Sequence, residues 1–182
     1  MNGAMTWDNA KDWVKGYSIG GYVDWRLPTL MDTGTSGCNL SFTGGTDCGF
    51  NVQTKSSTTV YSEMASLWYD TLGNKAYFDT NGLGLQIGWG LSNTGEFQNM
   101  QSWDYWFGTE SAVNASYAWA FGTGEGYQDN GTKNFQFYAL AVSDGDVAAA
   151  SVPEPVTLLL AFIALAGLGL VRRRQTIGSL AI

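Results

Sequence analysis

Residues 152–174, VPEPVTLLLAFIALAGLGLVRRR, constrain this chain more than any other stretch. Val152, Pro153, Glu154 and Pro155 open the segment, and its prolines stop whatever regular element precedes them. Residues 156–171 then run apolar apart from Thr157, and Arg172, Arg173 and Arg174 close the run. A helix of that length reaches roughly 24 Å at about 1.5 Å per residue, against a hydrocarbon core of about 30 Å. It is expected to cross a membrane as one short transmembrane helix, with bilayer thinning or snorkelling arginines making up the difference. The arginines stay on the cytoplasmic side, which puts residues 1–151 across the membrane and leaves 175–182 as a cytoplasmic tail. The alternative is a buried hairpin helix of a soluble domain, which would have to be covered on every face.

The order of parts, a VPEP motif followed by a short apolar helix and a basic cluster, resembles the PEP-CTERM sorting signal. That resemblance implies processing near the motif by an exosortase-type membrane enzyme, in a Gram-negative bacterium that makes exopolysaccharide. The mature protein would be released or held at the cell surface. The extension 175–182 is a departure, since the family often ends sooner.

Ahead of the tail lies room for one domain with a real core. It carries six basic residues (Lys11, Lys15, Arg26, Lys55, Lys75, Lys133) against fifteen acidic ones, a net of −9. That charge excludes nucleic acid, whose phosphates need a basic face, and passive adsorption to an anionic surface. The chain has no histidine, so the usual imidazole base and the commonest metal ligand are both missing. No cofactor is expected. Cys38 and Cys48 flank a Gly44-Gly45 turn and are expected to form a disulfide outside the cytoplasm. The alternative, a zinc site, lacks further ligands nearby.

The amino-terminal stretch has no apolar leader after Met1 and runs into a helix signature, with Thr6 as cap and Trp7, Ala10, Trp13 and Val14 at helical spacing. Lys15 and Gly16 make its end. An ectodomain without a leader contradicts the tail, so the true start is expected upstream; the alternative is insertion directed by the tail alone. Tyr22, Val23, Trp25 and Leu27 have strand character up to Pro28. Arg26, alone among large apolar groups, is read as a structural clamp that stacks on a ring and forks onto a carboxylate, rather than as a ligand contact.

The segment 5–29, with its tryptophan-bearing helix, Gly-Gly-Tyr turn and the motif Asp24, Trp25, Arg26, Leu27, Pro28, is similar to the domain of unknown function named after the C-terminal region of the Legionella collagen-like adhesin. The similarity continues through 62–77, 88–110 and the closing strands, covering most of 3–146. Family members usually carry one or two strands before this helix, which supports an upstream start. The resemblance implies an irregular α+β domain, related to C-type-lectin-like and formylglycine-generating-enzyme-like folds, with two short helices and several antiparallel strands.

The remaining residues fit that outline. Residues 29–60 read as a surface excursion, and Met64, Leu67, Trp68 and Leu72 line one face of a helix over 62–72. Residues 76–90 read as short strands separated by glycines whose spacing makes no phosphate loop. Trp103, Tyr105 and Trp106 begin a strand, and Tyr117, Trp119 and Phe121 alternate with alanines as one buried strand face. Residues 128–131 (QDNG) read as a turn, 135–142 as the last strand, and 147–151 as a linker.

These residues offer three chemistries. Asp104 and Glu110 could form a glycosidase-like pair. Asp129-Asn130 and Asp144-Gly145-Asp146 could supply oxygens to calcium, although neither builds an alternating ligand loop. Trp89, Trp103 and Trp106, near the loop 92–95, could stack on sugar rings, against the alternative that every tryptophan is core. The relatives that generate formylglycine work through late cysteines, which this chain lacks. The reading is a non-enzymatic, exported, surface-sorted matrix protein with a structural or adhesive role in exopolysaccharide or biofilm. The alternative is a lectin-like carbohydrate-binding module.

Overall fold

The computed structural model describes residues 3–34, 42 and 47–144. Two units partition the chain, Met1–Asp144 and Gly145–Ile182, and only the first is described here. Residues 152–155, expected to be a sorting motif, the apolar segment 156–171, the arginines 172–174, the expected linker 147–151 and Cys38 all lie outside the described residues. Among the described residues no helix is long and apolar enough to cross a membrane.

Helix α1, Trp7–Lys15, starts at Thr6, whose side chain makes no capping bond, and ends at Gly16. Trp7, Ala10 and Val14 are its buried stripe. Short strands β1 (Gly49–Phe50), β2 (Lys55–Ser56) and β3 (Thr59–Val60) follow. Next comes α2, Glu63–Ala65, capped by the Ser62 hydroxyl, which accepts from the Ala65 N–H. The chain then widens into a π-helical turn, Ser66–Thr71, with Leu72 N–H donating to the Leu67 carbonyl at 2.9 Å. Met64, Trp68 and Leu72 face the core and Leu67 sits at its edge, so the expected stripe survives the change of helix type.

Strands β4 (Asp104–Glu110), β5 (Tyr117–Gly122) and β6 (Tyr127–Thr132) join β1 in one antiparallel sheet of order β1-β6-β5-β4. The chain is therefore α+β, with two short helices and antiparallel strands, as expected. Both sheet faces are covered. Tyr105, Phe107, Trp119 and Phe121 point to one side and pack with Met64, Ala65 and Trp68 of the second helical segment. Trp106, Ala118 and Ala120 point to the other and pack under Trp7, Ala10 and Val14 of α1. The expectation of one buried face on β5 is thus corrected: its alanines are as buried as its aromatics, because small residues there let Trp106 and α1 close over the sheet.

The QDNG stretch is not a turn but the middle of β6. Its polar groups find partners within the fold. Gln128 is buried, accepts from the Ser62 hydroxyl at 2.7 Å and donates to the Asp47 carbonyl at 2.5 Å. Residues 76–90 and 135–142 make bridges rather than strands. Phe137 pairs with Met5, Tyr138 with Tyr105 and Val142 with Arg26, so this last segment ties the N-terminal region to β4.

Arg26 is a clamp. Its Nη1 and Nη2 donate to Glu63 Oε2 and Oε1 at 2.7 and 2.8 Å, and Nε and Nη2 reach Asp144 Oδ1 at 2.9 and 2.5 Å. Cation–π contacts among the described residues belong instead to Lys11 and Lys133, over the Trp7 ring. Cys48 is disulfide-bonded.

Candidate functional site

Strand register builds the site. Asp104 pairs with Gly122 and Gly122 with Tyr127, forming one row across β4, β5 and β6. Directly paired residues share a face, so Asp104 and Tyr127 stand on either side of a position with no side chain. A Cβ at Gly122 would lie 2.9 Å from Asp104 Oδ1. Gly124 repeats the device, since a Cβ there would lie 2.9 Å from the Ser102 hydroxyl. Two glycines thus let the Asp104 carboxylate and the Ser102 hydroxyl lie close against the backbone at the end of the sheet.

The turn 123–126 is held by Gly126 N–H donating to the Gly122 carbonyl at 2.8 Å. Thr123, fully buried, fixes Trp103 through reciprocal bonds: Trp103 N–H donates to the Thr123 hydroxyl and Thr123 N–H to the Trp103 carbonyl, both at 3.1 Å. Trp103 is left 57% exposed. Trp89 arrives from the irregular segment between the helices and β4. Buried Asn74 organises that segment, its side-chain oxygen accepting from the N–H groups of Ser92 and Asn93. Gly90 N–H donates to the Lys75 carbonyl at 2.9 Å, and Trp89 meets Tyr77 edge-on with ring centroids 4.9 Å apart. Trp89 is 39% exposed.

The result is a cleft of about 440 Å³ lined by Trp89, Ser102, Trp103, Asp104, Glu125 and Tyr127 over the glycine floor. That volume falls in the range of roughly 300–1,000 Å³ usual for small-molecule sites. Burial pushes the Asp104 carboxyl above its ordinary range, and the charges of Glu125 and Asp129 push it further. Asp129 stands one row along on the same face, across Ala120. Its carboxyl is also raised by burial, against hydrogen bonds from the Asn130 N–H and the Tyr127 hydroxyl. Burial, with help from Asp129 and Glu125, drives the Tyr127 hydroxyl up to about 12. The cleft is therefore an acidic pocket with aromatic walls.

The structure brings Trp89 and Trp103 together and separates Trp106 from them. Trp106 is fully buried and packs against Phe137 with ring centroids 4.4 Å apart and the rings tilted by 40°, and its indole N–H donates to the Met5 carbonyl at 2.9 Å. As a sugar-stacking candidate it is corrected: α1 and the Met5–Phe137 pair close over it. Asp104 and Glu110 do not form a catalytic pair, since they sit at opposite ends of β4. Six residues of strand span roughly 20 Å, beyond the separation of about 5–10 Å that glycoside hydrolysis needs. Glu110 is instead bonded to Lys133. Of the calcium candidates, the Asp129 carboxylate accepts from the Asn130 N–H and Asp144 is held by Arg26, while Asp146 lies outside the described residues. Of the 24–28 motif, Leu27 and Pro28 are core, Trp25 is half-buried and donates to the Tyr22 carbonyl at 3.0 Å, and Asp24 is exposed at a φ of 65°.

Glu125 and Tyr127 escaped the sequence reading. The signal for them was the GTGEG run beside an aromatic, where glycines leave room next to a ring. A second cleft of about 490 Å³, lined by Trp13, Tyr17, Ile19, Trp25, Phe97 and Met100 among others, is larger but carries no charged side chain. The chain matches no protein-family model, no curated protein and no solved structure.

Proposed function

We propose that this is an exported, exosortase-sorted cell-surface or matrix protein that adheres to exopolysaccharide, its folded domain holding a saccharide in the Trp89–Trp103 cleft without turning it over. One observation carries the binding role: two partly exposed indoles line one cleft whose remaining wall is carboxylate and hydroxyl. Aromatic faces pack on the apolar face of a sugar ring, and carboxylates and hydroxyls take its polar edge. The export role rests on the residue order of the tail, and residues 152–174 would anchor the chain before processing. The C-type-lectin-like architecture belongs to the same proposal, supported by the α+β layout with a long irregular segment feeding the site.

The test is affinity electrophoresis of the full-length chain through gels containing neutral and amino-sugar polysaccharides. Retardation that disappears in Trp103→Ala supports the reading, and mobility independent of every polysaccharide overturns it. Structural support of a matrix without a saccharide is the second reading, favoured by Leu83, Leu85 and Ile87, which alternate along one exposed stretch with Ile87 94% exposed. Concentration-dependent self-association in sedimentation, lost in Ile87→Asp, would support it.

A further inference from the structure

We propose that the Trp89–Trp103 cleft selects an amine-bearing saccharide, such as a chain with unacetylated hexosamine units, over neutral and anionic ones. This rests on the saccharide reading of the cleft and adds its ligand class.

The charge of the lining is one-sided. Asp104 and Glu125 line the cleft, Asp129 stands one row behind on the same sheet face, and no lysine or arginine lines it. Lys75, joined to Trp89 and Gly90 through backbone, is exposed and does not line it either. Lys133 is engaged at the far end of the sheet with Glu110 and the Trp7 ring. Among the described residues neither Asp104 nor Glu125 has a salt-bridge partner. Glu63, by contrast, is a partly buried acid that Arg26 neutralises. Burial raises the Asp104 carboxyl, and repulsion from Glu125 and Asp129 adds to it. A ligand ammonium would relieve that repulsion.

The walls agree. Trp89, Trp103 and Tyr127 line the same space, and a cation over an indole is attracted by its quadrupole. An anionic uronate or sulfate chain would meet the same carboxylates as repulsion. A neutral sugar would stack but leave the acid pair uncompensated.

The experiment is calorimetric titration of the full-length chain with three tetrasaccharides: glucosamine, N-acetylglucosamine and a uronate. The glucosamine tetramer is expected to bind about tenfold tighter than its acetylated counterpart, with the uronate weakest. Asp104→Asn combined with Glu125→Gln is expected to equalise the first two while keeping stacking affinity. Trp103→Ala should weaken both. Equal affinity of the first two tetramers in the natural chain overturns the ligand class and leaves saccharide binding standing. An amine preference that survives the double substitution belongs to the overall negative charge and overturns the assignment to this cleft. Failure of all three to bind overturns the saccharide reading itself, and the ligand class with it.

Discussion

Arg26 and Glu63, 37 residues apart, meet in a two-pronged ion pair at 2.7 and 2.8 Å. The same Glu63 carboxylate also accepts the Thr29 N–H at 2.7 Å. One guanidinium fork and one carboxylate thus join the segment after α1 to the start of α2, with Asp144 drawn in from the end of the described chain. A lysine keeps the charge but cannot make the fork. Arg26→Lys is expected to lose about 2 kcal/mol, read as a lower urea midpoint at unchanged slope.

Acid should act in two stages. Burial would raise the Glu63 carboxyl, but Arg26 and Thr29 outweigh it and hold it below its ordinary value. Asp32 behaves likewise, burial being outweighed by the Ala112 and Gly34 N–H groups and the Trp119 indole. Stability from these depressed groups is present above their unfolded values and is lost as pH falls through the folded ones. Asp104 and Asp129 are raised in the fold, so they protonate earlier on acidification, and that step favours the folded state. Melting temperature against pH should therefore rise from neutral into mild acid, then fall steeply. In Asp104→Asn the mild-acid rise should shrink and stability at neutral pH should increase.

The turn between β5 and β6 tolerates no side chain at Gly126, where φ is +69° and a Cβ would lie 2.5 Å from the Trp68 ring. Gly126→Ala is expected to cost about 3 kcal/mol in strain and overpacking, seen as a lower thermal midpoint. Gly122→Ala acts differently. Its added methyl pushes on Asp104 Oδ1, so cleft binding should fall by more than stability does.

Two tryptophans three residues apart should part company on truncation. Trp106→Ala removes a fully buried ring and is expected to destabilise by about 3–5 kcal/mol. Trp103→Ala removes a ring more than half exposed and should leave chemical denaturation nearly unchanged while abolishing saccharide retention.

Those same tryptophans show where the sequence was legible. The stripe Trp7, Ala10, Val14 and the stop at Gly16 were readable because helical spacing and end chemistry are local. The Arg26 clamp was readable in kind but not in partner, since Glu63 is brought in by tertiary structure. Trp103 and Trp106 could not be told apart, because the strand begins between them and a slip of one residue exchanges its faces. QDNG has the composition of a turn, yet it lies within β6. Gln128 is kept in β6 by bonds to Ser62 and Asp47, far away in sequence. The cleft was half legible: its tryptophans stood out, whereas Glu125 and Tyr127 join it only through the pairing of β4, β5 and β6.

The most direct measurement follows the tryptophan indole N–H signals of the isotope-labelled full-length chain by NMR during titration with glucosamine tetramer, assigned through single Trp→Phe variants. Saccharide binding in the acidic cleft predicts shifts confined to Trp89 and Trp103, with buried Trp7, Trp106 and Trp119 unmoved. Shifts in Trp13 and Trp25 instead, which line the uncharged cleft, or no shift at saturating tetramer, would contradict it.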